Sequence, residues 1–368
     1  MFSYIIRRLL LIIPTLIGIM IINFVIIQAA PGGPVEQLIA QIQGTAVSST
    51  ARVSGAGGEI STTQSQQGAS GNQVSTYRGA RGLPPNLIKQ IEIQFGFDKP
   101  PHERFLLMMR NYVMFDFGNS FFLGRPVVDL VLERMPVSIS IGLWTTLLTY
   151  LISIPLGIRK AVRDGSRFDL WTSLVIFVGN AIPSFLFAIL LIVVFAGGSY
   201  LQWFPLSDLH SKNAASLSWP AYILDYFWHL TLPLIALLIG SFASLTMLTK
   251  NSFLDQIRQQ YVTTARAKGL SERRVLYGHV YRNAMLIVIA GFPSAFIGIL
   301  FTGAFLIETI FSLNGLGRLG YQAIIVRDYP IIFGDLYFFS LLGLVMKLAG
   351  DLTYMLVDPR IDFESRST

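Results

Sequence analysis

The chain has 368 residues, 52% of them hydrophobic and 13% charged, with a formal net charge of +7. Soluble domains carry about 25% charged residues, so the deficit points to a membrane protein and the positive excess is read first as topology, not as a nucleic-acid surface. The absence of cysteine excludes disulfides and Cys-ligated metal or iron–sulfur centres.

Six stretches reach the length of apolar chain needed to cross a hydrocarbon core: Leu9–Ala30, Val137–Ile158, Leu170–Gly197, Leu230–Leu248, Ala284–Ile307 and Ile331–Val357. The expected fold is therefore an all-α polytopic membrane protein with six transmembrane helices. The first span follows Arg7 and Arg8 and outruns the apolar core of a signal peptide, so it is read as retained. Between spans one and two lies a long segment, residues 31–136, in which Gln43–Thr76 is rich in Gly, Ser, Thr and Gln. Such a composition buries too little apolar surface to offset its ordering entropy, and it is read as a flexible insert. After it, Leu87, Ile88, Ile91 and Phe95, then Phe105, Leu106, Met109 and Val113, recur at helical spacing and predict short helices on the outer face. Residues 137–368 hold the remaining spans and a basic insert at 250–283.

Orientation follows from the short loops. Fifteen Lys and Arg flank one side of the spans, seven of them between Lys250 and Arg282, against only Lys212, Arg318 and Arg327 on the other. This bias places both termini and the 250–283 loop in the cytoplasm and residues 31–136 outside. Arg318 and Arg327, nearly alone outside, are candidates for docking an acidic surface or a carboxylate near a pathway mouth.

Inside the spans, Asn23 and Asn180 are polar residues that either line a path or hydrogen-bond a neighbouring helix. Lys347 and Asp351 are four apart and are expected to form an intramembrane ion pair. Pro155, Pro183, Pro233 and Pro293 are expected to interrupt their spans. Catalytic and metal motifs are missing. His102, His210, His229 and His279 show no metal-ligand spacing, and there is neither a G-x-S-x-G elbow nor a P-loop, so no nucleotide is bound in that way. Gly315-Leu-Gly317-Arg-Leu-Gly320 spells G-x-G-x-x-G, but without a preceding strand its glycines are read as allowing a tight turn.

The loop after span four carries the strongest signal. Leu254, Ile257 and Tyr261 form an apolar series, Thr263, Thr264, Ala265 and Ala267 are small, Arg266 and Lys268 are basic, Gly269 suits a helix end and Ser271 the next helix start. A short helix with a small-residue face and basic ends is suited to dock in another protein's groove.

The run Tyr261-Val-Thr-Thr-Ala-Arg-Ala-Lys-Gly269 resembles the cytoplasmic coupling loop of ABC-importer permeases, and the chain resembles permease subunits of the oligopeptide/dipeptide class over nearly its whole length. Further matches are Tyr4-Ile-Ile-Arg-Arg-Leu-Leu, Ala30-Pro-Gly-Gly-Pro34, Phe95-Gly-Phe-Asp-Lys-Pro100, Phe117-Gly-Asn-Ser120, Arg134-Met-Pro-Val-Ser138, Arg282-Asn-Ala284, Phe311-Ser-Leu-Asn-Gly-Leu-Gly317, Arg327-Asp-Tyr-Pro330 and Asp358-Pro-Arg360. Thr263 stands where the general family has Glu and Arg282 where it has Pro, and both changes resemble the peptide subclass. The insert Gln43–Thr76 resembles a subgroup whose importer takes up peptides and the peptide–nucleotide antibiotic microcin C. The resemblance implies a non-enzymatic subunit of a bacterial inner-membrane importer that forms half of the path. Its implied partners are a second permease in a heterodimer, two cytoplasmic modules that bind ATP and Mg, an extracytoplasmic solute-binding protein, the peptide cargo and the lipid membrane. The chain itself is expected to bind no cofactor and no nucleic acid. The alternatives are a nickel or sugar cargo in the same class, or a membrane-embedded enzyme.

Overall fold

The computed structural model describes residues 2–29, 33–42, 89, 91–93, 97–197, 200–298 and 304–357; the insert at 43–76 lies outside these. Among the described residues there is no sheet, only an isolated bridge between Asn119 and Pro126. In chain order the helices are α1 (Phe2–Ala29), α2 (Pro34–Ile42), α3 (Pro101–Val113), α4 (Val127–Val162), α5 (Arg167–Ala181), α6 (Ser184–Phe195), α7 (Trp219–Ile257), α8 (Gln260–Ala267), α9 (Glu272–Val275), α10 (Tyr281–Ala290), α11 (Phe292–Gly298), α12 (Ala304–Ile310), α13 (Leu316–Val326) and α14 (Tyr329–Val357).

Among the described residues five helical runs are long and apolar enough to cross a membrane, or six if α5 and α6, a pair bent by 90°, count as one span. Counted so, they match the six expected spans with different ends; residues 299–303 of the expected Ala284–Ile307 span lie outside the described residues. Helices α4 and α7 have 36 and 39 residues; at 1.5 Å per residue each is longer than 50 Å, well beyond the roughly 30 Å hydrocarbon core. The fifth run starts at Glu272, not Ala284, because a π-helical turn at Leu276–Val280 joins α9 to α10.

The prolines do not act alike. Pro155 and Pro233 lie inside continuous helices, and only Pro183 coincides with the sharp bend. There Ile182, at φ −86° and ψ 119°, is extended, as the ring of a following proline demands.

The chain divides into two compact units, Met1–Ile13 with Leu132–Leu319 and Phe339–Thr368, and Pro14–Val131 with Gly320–Phe338. In the first, one core gathers Ile141, Leu191, Leu230, Leu237, Ile307 and Phe311. A second core gathers Ile158, Ala161, Phe253, Val262, Ala265 and Val288. Along α4, Thr145, Thr149, Ser153 and Gly157 recur every four residues and so share a face. Helix α7 comes so near that a Cβ on Gly157 would sit 2.6 Å from the Thr249 Cβ. The Ser153 hydroxyl donates to the Phe242 carbonyl oxygen at 3.1 Å. Small residues and interhelical hydrogen bonds are how helices associate where lipid removes the hydrophobic driving force.

In the second unit, Val35, Ile39 and Ile91 form a small core, and Tyr112, Phe117 and Tyr337 pack edge to face. Asp328 is buried at the turn before α14, where it accepts from the Ser120 hydroxyl at 2.5 Å and the Phe121 N–H at 3.2 Å.

Candidate functional site

The 250–283 loop folds as a helical hairpin. Helix α8 ends in a Schellman motif: the Leu270 N–H donates to Ala265 O at 3.3 Å and the Gly269 N–H to Arg266 O at 2.9 Å. Gly269 takes φ +79°, the left-handed conformation this motif requires. Ser271 is extended before α9, as expected of an N-cap, but its side chain makes no capping bond. Arg266 closes the hairpin by donating from Nε to Glu272 Oε1 at 2.8 Å and from an Nη to Oε2 at 3.1 Å.

Helix α8 has two faces. Val262 and Ala265 are buried in the second core, with half-buried Tyr261 beside them bonding Gln256 at 2.9 Å. Thr263, Thr264, Arg266, Ala267, Lys268 and Gly269 are exposed. The small-residue face is therefore Thr263, Thr264 and Ala267, while Ala265 faces inward. Of the four small residues read from the sequence, Ala265 thus packs inward and the other three are exposed. Leu254, Ile257 and Tyr261 do pack on one core, but from two helices with a break at Arg258–Gln259.

Within the first unit lies a cavity of about 490 Å³ whose lining includes Thr146, Thr149, Ser184, Ser241, Ser244 and Gly291. Hydroxyls and glycines inside membrane-length helices give a surface that offers hydrogen bonds without fixed charge. Sequence reading did not single these residues out, because Ser, Thr and Gly are ordinary constituents of apolar spans.

The G-x-G-x-x-G run proves to be a carboxyl cradle. Glu308 is fully buried. It accepts from the Ser138 hydroxyl at 2.6 Å and from the Arg318 N–H at 2.9 Å, at the start of α13. The Ser138 oxygen in turn accepts from the Leu316 N–H at 2.8 Å. A Cβ on Gly315 would lie within 2.4 Å of the Glu308 carboxyl, and one on Gly320 would lie 2.6 Å from Asp335 Oδ2. None of Gly315, Gly317 and Gly320 has positive φ, so the glycines serve close approach to carboxyl groups and not the tight turn expected. A helix N-terminus favours an anion, and here the chain supplies its own. Burial pushes the Glu308 carboxyl up, against the lowering pull of Ser138, the Arg318 and Gly317 N–H groups and Arg134.

The remaining candidates fall apart from one another. Asn23 donates to Ile19 O of its own helix at 2.8 Å. Asn180 is exposed just before the α5–α6 bend. The Arg318 guanidinium reaches Asn314 at 3.4 Å, an amide oxygen it shares with Arg134 at 3.3 Å. Arg327 takes φ +60° in the turn that Asp328 anchors. The expected Lys347–Asp351 pair is not formed: Asp351 pairs with Arg8 at 3.1 Å and accepts from Tyr4 at 3.2 Å, while Lys347 is exposed.

Two groupings escaped the sequence reading. Asp225, one helical turn before His229, accepts from the Ser211 N–H and hydroxyl, with His210 Nδ1 at 3.4 Å and His229 Nδ1 at 3.6 Å from its carboxylate. The four-residue spacing was the available signal, although among the described residues no His, Asp and Glu group could hold a metal ion. The other is a buried Lys160–Asp169–Lys250 array at the basic ends of α4, α5 and α7.

Membrane-length helices, a hydroxyl-lined cavity among them and an exposed helical hairpin describe a polytopic membrane protein. Residues 153–363 match the family described as binding-protein-dependent transport system inner membrane component, and the chain belongs to that family as a permease subunit of an ABC importer. It is 62% identical over 99% of its length, and 99% of the relative's, to the peptidoglycan transport system permease protein YejB of Agrobacterium fabrum. It is 58% identical over 99% of its length to the inner membrane ABC transporter permease protein YejB of Escherichia coli O157:H7, covering 100% of that protein. It is 35% identical over 99% of its length to the oligopeptide transport system permease protein AppB of Bacillus subtilis, also covering 100% of it.

Proposed function

We propose that the chain forms half of the conducting path of an ATP-driven importer of oligopeptides and peptide-like compounds, in the inner membrane with both termini and α8 in the cytoplasm. The other half is a second, non-identical permease; two ATP-binding modules grip the hairpins and an extracytoplasmic protein delivers cargo. The chain carries out no covalent chemistry, and ATP and Mg sit on the partner modules. The observation that carries this reading is α8: a short helix anchored inward by Val262 and Ala265 and presenting Thr263, Thr264 and Ala267 outward. Peptide cargo is supported by the names of the relatives, and the peptidoglycan transport of one of them puts cell-wall peptide fragments beside linear peptides and microcin C-type compounds. Reconstitution of the complete complex in proteoliposomes tests it: ATP is expected to drive accumulation of a labelled tripeptide or muropeptide, and hydrolysis without accumulation of any peptide overturns it.

The outer end offers Arg318 for docking the binding protein, since among the described residues its side chain bonds Asn314 at a long 3.4 Å. Arg318→Glu is expected to weaken docking about fivefold or more and to change its salt dependence, as charge reversal in a polar interface does. Unchanged affinity and salt dependence in a vesicle-binding titration would remove Arg318 from that interface.

A further inference from the structure

The array at the basic ends of α4, α5 and α7 is unusual in its burial. The Lys160 side chain is fully buried. Its ammonium donates to Asp169 O at 2.9 Å, to Thr172 Oγ1 at 2.9 Å and to Ser173 Oγ at 2.8 Å, which uses all three protons. Asp169 Oδ1, 2.9 Å away, adds a charge contact. The other oxygen, Oδ2, accepts from Lys250 on α7 at 2.7 Å and from the Gly165 N–H at 3.2 Å. Lys250 also meets Asp164 at 2.8 Å, and Asp164 lies 3.9 Å from Arg258. One carboxylate thus ties three helices, and the ammonium of Lys250 is shared between a buried and a half-exposed acceptor.

The array adjoins the seat of α8. Val262 and Ala265 pack in the same core as Ile158 and Ala161, which flank Lys160 on α4, and as Phe253, one turn beyond Lys250 on α7. Beside this, Gly157 is pressed on Thr249 with no room for a Cβ. A displacement of α8 therefore reaches α4 and α7 directly; α5 also packs on α7 farther along, where Gly179 meets Ile239, but at this end the Asp169 bridge holds it to both.

Buried ion pairs are poor stabilisers because desolvation offsets most of their attraction, so a purely structural purpose accounts weakly for this one. We infer that Asp169 and Lys250 are positioning residues of energy coupling: their bond makes α5 follow α4 and α7 when the ATP-binding partners push on α8. The inference rests on the importer reading given above.

Lys250→Met tests it with the least collateral change, because Asp169 keeps Lys160 and Asp164 keeps Arg258, so no buried charge is left alone. In the reconstituted complex the ratio of ATP hydrolysed to peptide taken up is expected to rise at least tenfold, and Lys250→Arg, which retains the charge and the donors, is expected to restore it to within about threefold of the parent. A merely structural role would lower assembly and leave that ratio as it is, so an unchanged ratio in assembled Lys250→Met complex overturns the inference. If Lys250→Met does not assemble, Asp164→Asn carries the test, since it weakens only the half-exposed end of the array: a ratio raised at least twofold supports the inference and an unchanged ratio overturns it. Absence of ATP-driven uptake by the parent complex would instead strike the importer reading.

Discussion

Replacing Gly269 by Val is expected to cut ATP-driven peptide uptake about tenfold or more while the complex still inserts, assembles and hydrolyses ATP. The residue sits at φ +79°, and nothing lies within 4 Å of the position a Cβ would occupy. The substitution therefore meets no clash, and its penalty is conformational, of the order of 1–2 kcal/mol for a left-handed L-residue and more for a β-branched one. The chain escapes that strain by unwinding the Schellman turn, which would release the hydrogen bonds to Ala265 O and Arg266 O and swing α8 relative to α9. On the proposed coupling role, a misdirected α8 would transmit less of each push. The series should be graded, Asn mildest because its side chain tolerates the left-handed region, then Ala, then Val. Parallel uptake and hydrolysis assays in proteoliposomes check it; a Val variant that transports normally at normal expression removes Gly269 from the coupling device.

Gly315→Ala is expected to be more damaging to the fold than to any single transport step. The new methyl would lie within 2.4 Å of the Glu308 carboxyl, so the carboxyl must leave the start of α13 or the helix must move away. Overpacking costs about 1–3 kcal/mol and a lost hydrogen bond to a charged group a further 1.5–3. The expected loss is therefore about 2.5–6 kcal/mol, a large part of the total stability of an ordinary folded protein. Thermal unfolding in detergent, followed by fluorescence-detected chromatography, measures it. The double variant Gly315→Ala with Glu308→Ala should recover part of the loss, because it makes room for the methyl. A double variant no better than the single one would show that the clash is not with Glu308.

The parts of this protein that were legible in its sequence are the local ones. Span existence follows from apolar runs alone, and Gly269 announced a helix end because only a few residues take positive φ cheaply. Asp351 was mispaired for the opposite reason: Lys347 is four residues away in the chain, but the partner that reaches it lies at the other end, with Tyr4 347 positions distant. The Glu308 bond to Ser138 spans 170 residues and the Asp169 bond to Lys250 spans 81. No spacing rule predicts such meetings, which depend on which helices become neighbours. The glycine signature at 315–320 was misread because glycine's two uses, positive φ and the lack of a Cβ, leave the same letter. The hydroxyl-lined cavity left no sequence signal, since it is formed by common residues brought together by packing.

The bend at Ile182–Pro183 bears on how the protein sits in bilayers of different thickness. The straight leg α5 has 15 residues, about 22 Å at helical rise, so it is shorter than an average hydrocarbon core and its sister spans are far longer. A rigid rod must tilt or deform the surrounding lipid when the two lengths disagree. A span divided at a right angle can take up part of the disagreement by a change of angle at its elbow. Hydrophobic mismatch is then taken up at one joint, beside the α7 face where Gly179 meets Ile239.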